Sequence, residues 1–113
     1  MPETPTASRL TIVYVLRTPH RRDAFLALMS ELRQVTVDLM LMASAGAAAD
    51  AYTLTEDPAR PGWFVETLRF PSEKEHVKFD DLYHQDRRTS TLQALLDELV
   101  DGARSDYVLT RSA

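Results

Sequence analysis

Between Arg9 and Arg17 the chain alternates Leu10, Ile12, Tyr14 and Leu16 with Thr11, Val13 and Val15. Successive side chains of an extended segment point to opposite faces, so both faces of this strand are largely apolar. A strand apolar on both faces needs cover on both. A helix layer plus a partner subunit would supply it, and so would a sandwiched sheet. At 113 residues the chain has the length of one domain. That is enough for one core, and short enough that a second packing surface would help stability.

The rest of the chain supplies the helix layer. Thr18-Pro19 reads as a helix start, with threonine as N-cap and proline at the first helical position. Phe25, Leu28, Met29, Leu32 and Val35 follow at helical spacing. Val35 to Met42 alternates well enough for a strand, but Leu39, Met40 and Ala43 continue the helical stripe. The helix is therefore expected to run to about Ala43, with Gly46 as its stop. Ala51–Glu56 reads as a second strand, Asp57–Gly62 as a turn and Trp63–Phe70 as a third strand, together a hairpin.

Ser72 with Glu75 makes a capping box for the next helix, and Ser90 with Gln93 repeats the signature. Leu92, Leu95, Leu96, Leu99 and Val100 form an amphipathic stripe, Gly102 closes it, and Asp106–Thr110 reads as a last strand. Met29, Met40 and Met42 are expected to fill gaps in the core. Residues 1–8 are expected to be a flexible N-terminus and 9–113 a single domain. The order β-α-β-β-α-β is the α+β, ferredoxin-like arrangement, a four-stranded antiparallel sheet with both helices on one face. The bare apolar face predicts a homodimer through the sheet.

Composition removes several function classes. No cysteine is present, which excludes disulfides, thiolate metal sites and cysteine nucleophiles. Met1 to Ser8 is polar and proline-containing, unlike a signal peptide, and no apolar run reaches the ~18 residues of a membrane span. A cytoplasmic protein without membrane insertion is the expectation. The net charge is −4 and the basic residues are scattered, where a nucleic-acid partner would call for a basic stripe. No glycine-rich phosphate loop, nucleophile elbow or zinc spacing occurs, so neither a cofactor nor a metal is expected.

The stretch from Pro61 to His76, with Phe64-Val65-Glu66-Thr67 at its centre, resembles the dimeric α/β-barrel domains of the antibiotic biosynthesis monooxygenase superfamily. It is most similar to the version appended to some transmembrane secretion effectors of the major facilitator type. In that version a Pro-Gly-x-Phe-Val-Glu-Thr pattern precedes a histidine on the next helix. Ala24-Phe25-Leu26 through Glu31-Leu32-Arg33 resembles the first helix of the same domain. The resemblance implies a face-to-face sheet dimer with a pocket in each subunit between sheet and helices. Several oxygenases of the superfamily use an asparagine with tryptophan or histidine. This chain has no asparagine, so that chemistry does not carry over.

The candidate site residues follow from parity and spacing. Glu66 alternates with Phe64, Leu68 and Phe70, which places a carboxylate among large apolar groups. Burial there raises its pKa and suits it to act as a general base; the competing reading is a carboxylate paired with arginine or set at a sheet margin. His76, Asp80 and His84 share one helical face. A His–Asp pair there could orient an imidazole for proton transfer or offer two ligands to a metal. Asp80 and His84 count among the ligand-binding candidates, and the competing reading is a solvated charged face. The resemblance singles out His76 as the second catalytic candidate. Tyr14, Tyr52, Trp63 and Tyr83 carry polar handles suited to a planar ligand, or else pack the core and the dimer interface. Trp63 falls on the strand face opposite Glu66.

Two functions fit these residues. One is a homodimer binding a small aromatic molecule, with a cofactor-independent monooxygenase reaction at Glu66 and His76. The other is a non-enzymatic ligand-binding, dimerisation or regulatory module.

Overall fold

The computed structural model describes residues 6–44 and 51–111. Its elements are β1 (Thr6–Leu16), a 3₁₀ turn (Pro19–Arg21), α1 (Arg22–Ala43), β2 (Tyr52–Glu56), β3 (Trp63–Phe70), α2 (Glu73–Gln85), α3 (Arg87–Leu99) and β4 (Val100–Arg111). The four strands form one antiparallel sheet in the order β2-β3-β1-β4, with β1 and β3 central. The helices pack on one face of it, the ferredoxin-like arrangement. No described helix is long and apolar enough to cross a membrane.

The helical stripe wins over the alternation at Val35–Met42, and α1 ends at Ala43 as expected. Residues 1–5 of the expected flexible segment, and the expected stop at Gly46, lie outside the described residues. β1 starts earlier than expected, at Thr6, because Ser8 pairs with Phe70 and Leu109 on its two sides. Pro19 opens a 3₁₀ turn rather than α1 itself, and Thr18 makes no side-chain cap. At α2 the Ser72 hydroxyl donates to the Glu75 carboxylate instead of accepting from a backbone amide, so the capping box is only half formed.

The second half departs further. The expected single helix is two, broken at Asp86, whose carboxylate accepts from the Arg88 amide at 2.8 Å and caps α3. Ser90 therefore lies inside α3 and caps nothing. The helix ends at Leu99, not Gly102, and β4 begins at once because Val100 pairs with Leu16. Within the leucine stripe Leu96, Leu99 and Val100 are buried and Leu95 is exposed. Met29 and Met40 are buried, but Met42 is 61% exposed on the outer side of α1 and fills no core gap.

The turn between β2 and β3 is tied by short-range bonds. The Asp57 carboxylate accepts from the Ala59 amide at 2.9 Å and pairs with Arg60. Gly62 has φ +87°, a left-handed conformation that favours glycine. Its amide reaches Glu56, which also pairs with Arg22 at 3.0 Å.

The core falls into two clusters. Tyr14, Phe25, Met29, Leu32, Phe64 and Leu96 anchor one, and Leu39, Met40, Tyr52, Leu68, Phe70 and Phe79 the other. On β3 the residue between Phe64 and Leu68 on the inner face is Glu66. A carboxylate therefore sits at the seam of the core.

Candidate functional site

Glu66 is 3% exposed, and its backbone is paired on both sides, opposite Ile12 of β1 and Leu54 of β2. Tyr14 and Tyr52 stand diagonally from it, each two residues along from those partners, within reach of long side chains. The Tyr14 hydroxyl donates to Glu66 Oε1 at 3.0 Å, and the Tyr52 hydroxyl donates to Oε2 at 2.5 Å. Among the described residues no ion pair reaches this carboxylate. Its partners are hydroxyls, not the arginine of the competing reading.

Burial pushes the Glu66 pKa up, and the bonds from Tyr52 and Tyr14 work against that rise. The two phenols shift upward as well, first through burial and then through the nearby Glu66 charge, so both remain protonated donors. The tyrosines are held in turn by their surroundings. Tyr14 packs on Phe25, which packs on Phe64 at 4.5 Å, and the Arg33 guanidinium lies 5.6 Å from the Tyr52 ring centroid.

Beside Glu66 a cavity of about 480 Å³ opens between the sheet and the α2–α3 pair. Leu10, Ile12, Glu66 and Leu68 form its floor, and Thr36 of α1 closes one side. The wall is Phe79, Asp80, Tyr83 and His84 from α2, then Thr89, Ser90 and Gln93 from α3. That volume lies within the range of small-molecule sites. The Gln93 amide donates to the Tyr83 hydroxyl at 2.7 Å, and burial raises the Tyr83 pKa. The Thr89 hydroxyl lies 2.5 Å from the Tyr83 carbonyl and 2.7 Å from that of Asp86, which fastens the break between the helices and shapes the wall.

At the rim His84 Nδ1 lies 2.7 Å from the Asp80 carbonyl oxygen and 3.4 Å from its carboxylate. A carbonyl only accepts, so Nδ1 carries a proton. The charged helix face is thus partly cavity wall. Among the described residues no three histidine, aspartate or glutamate side chains gather as a metal site.

His76 is placed apart from the cavity. It is 0% exposed, stacked on Phe70 at 4.3 Å and paired through Nδ1 with the Ser8 hydroxyl. Burial lowers its pKa, against the pull of Asp80 and Glu73. Its partner Ser8 lies four residues before Ile12 on β1, a backbone span of roughly 13 Å at about 3.3 Å per residue, and His76 is not part of the cavity lining. Trp63 is on the opposite sheet face, as its parity requires, with Arg60 over its ring at 4.2 Å. The structure thus gathers Glu66, Tyr14, Tyr52, Asp80, Tyr83 and His84 around one region, and leaves His76 and Trp63 outside it.

Several wall residues escaped the sequence reading. Phe79 and Thr36 were accessible to it, since Phe79 lies three residues after His76 and Thr36 adjoins Val35 of the α1 stripe. The sequence marks Ser90 and Gln93 only as a capping signature and Thr89 not at all, because their placement in the wall depends on the break at Asp86.

No family model matches the chain, and no curated protein matches it. Solved structures do. A dimeric ferredoxin-like protein from an uncultured marine organism superposes with a TM-score of 0.74 at 14% identity, over 97% of this chain and 92% of the other. An antibiotic biosynthesis monooxygenase gives 0.64 at 20% identity over 94% and 98%. SnoaB, a cofactor-independent oxygenase from Streptomyces nogalater, gives 0.65 at 8% identity over 95% of each chain. The chain has the ferredoxin-like fold of the antibiotic biosynthesis monooxygenase-like proteins, along nearly its whole length.

Proposed function

We propose that this chain is a homodimer that binds a small aromatic molecule in the cavity beside Glu66. The observation that carries the reading is a buried carboxylate, bonded to two phenols and without an ionic partner among the described residues, on the floor of a cavity of about 480 Å³. Phe79 and Tyr83 in its lining give the cavity aromatic character that suits a planar body.

In its catalytic form the reading is a cofactor-independent monooxygenase. Glu66 withdraws a proton from an activated substrate, and the carbanion then reacts with dioxygen using electrons that the substrate itself supplies. Tyr14 and Tyr52 stabilise the carboxylate form of the base and orient it. His76 serves this site indirectly, by fixing Phe70 and the end of β3. The sheet face carrying Thr11, Val13, Val15, Trp63 and Val65 is only partly covered within one chain, which supports dimerisation through it.

The non-enzymatic reading is supported by the absence of asparagine and by the distance of His76, which leaves Glu66 without a buried acid–base partner in the cavity. The two readings share the cavity and differ in turnover. A thermal-shift panel of aromatic polyketides, quinols, haem and flavins, run on wild type and Glu66→Gln, tests the binding they share. A reproducible rise for the aromatic compounds, lost in the variant, supports the site; no rise across the panel removes it. Oxygen uptake with the compounds that bind then separates the readings. Light scattering on Val13→Asp tests the dimer, and loss of half the wild-type mass is expected.

A further inference from the structure

The charged and polar groups around the cavity are unequal in kind. Glu66 presents a carboxylate at the floor and Asp80 another at the rim, while His84 Nδ1 is turned to the Asp80 carbonyl. Gln93 gives one amide hydrogen to Tyr83 and keeps its second hydrogen and its carbonyl oxygen. No lysine or arginine lines the cavity among the described residues. Besides His84, the charged groups of the wall are thus the two carboxylates, and Phe79 and Tyr83 line the same cavity.

Resting on the small-molecule reading above, we propose that the cavity selects its occupant by charge, taking an aromatic molecule with a cationic amine and rejecting the matching carboxylate. An ammonium group directed at Glu66 supplies a positive partner that no ion pair among the described residues gives this carboxylate, through a charge-assisted hydrogen bond. The ring faces add cation–π attraction near the same point. An anion in the same place meets Glu66 and Asp80 with no lysine or arginine on the described lining to offset the repulsion.

Three probes of one shape test this: 2-(aminomethyl)naphthalene, 2-naphthalenemethanol and 2-naphthoic acid, titrated by amide NMR at pH 7.5. The expected order is amine, then alcohol, then acid. The amine should lead the alcohol by about 10-fold or more, the range of a hydrogen bond to a charged group. Glu66→Gln should remove most of that lead, and Asp80→Asn should remove a smaller part. Equal binding of the three probes, or tighter binding of the acid, overturns the charge selection while leaving an aromatic site intact. A lead that survives Glu66→Gln also overturns it. Failure of all three probes to bind overturns both the selection and the small-molecule reading. The ranking on wild type stands as a test whether or not either variant folds.

Discussion

Glu66 and His76 are both buried ionisable residues on or beside β3, and the sequence marks them as a pair. Their surroundings differ. Glu66 is bonded to Tyr14 and Tyr52 and faces a cavity, whereas His76 is stacked on Phe70 and paired with Ser8 where the core is filled. Burial favours the neutral form of each, which means a proton gained by the glutamate and a proton lost by the histidine. The lesson is that burial of a titratable group does not by itself make a site. Glu66 has space for a second molecule beside it, and His76 is used up by packing.

Replacing His76 with alanine should cause the largest loss of stability, about 2–4 kcal/mol by urea unfolding, the usual cost of emptying a packed core position. If Glu66 alone faces the ligand, the folded fraction of that variant should still bind the amine probe. A variant that unfolds easily and also loses binding while folded would bring His76 back into the site. Tyr52→Phe should cost less, about 1 kcal/mol, because it removes one hydroxyl bonded to the buried Glu66 carboxyl. The same change should move the Glu66 titration further upward. Asp86→Ala removes the cap of α3 and should cost ~1 kcal/mol while loosening the cavity wall more than the His76 pocket.

The smallest effects are the pH slopes, which should oppose one another. Glu66 titrates higher in the fold than in the unfolded chain. Its contribution is complete below the unfolded value of about 4.3 and is lost as pH rises through the raised folded value. His76 is lowered instead. Its contribution is complete above about 6.5 and is lost as pH falls through the depressed folded value. Glu66→Gln should therefore flatten the stability profile from about pH 4.3 upward, and His76→Phe from about pH 6.5 downward. Slopes of the same sign in both variants would break the comparison.

Much of this contrast is written locally in the chain. The alternation of β1 and β3 places Glu66 inside with Phe64, Leu68 and Phe70, and Trp63 outside, and the α1 stripe carries its helix to Ala43. The wall opposite Glu66 is not written locally. Arg87-Arg88-Thr89-Ser90 contains no glycine or proline to mark a break, and the break depends on the Asp86 cap and on Thr89 reaching two carbonyls. Val100 keeps helical phase with Leu96, so periodicity extends the helix, whereas pairing with Leu16 turns the chain into β4. Spacing alone places His76, Asp80 and His84 on one face. Which of them meets the cavity depends on how α2 rotates against Phe70, a matter of packing between distant segments.

The most direct test is a carbon-13 NMR titration of the Glu66 side-chain carboxyl, with and without 2-naphthalenemethanol. A midpoint above the ordinary glutamate value of about 4.3, moved by the bound probe, is the predicted result. A midpoint at or below that value, unchanged by the probe, would contradict a desolvated carboxylate facing a ligand cavity.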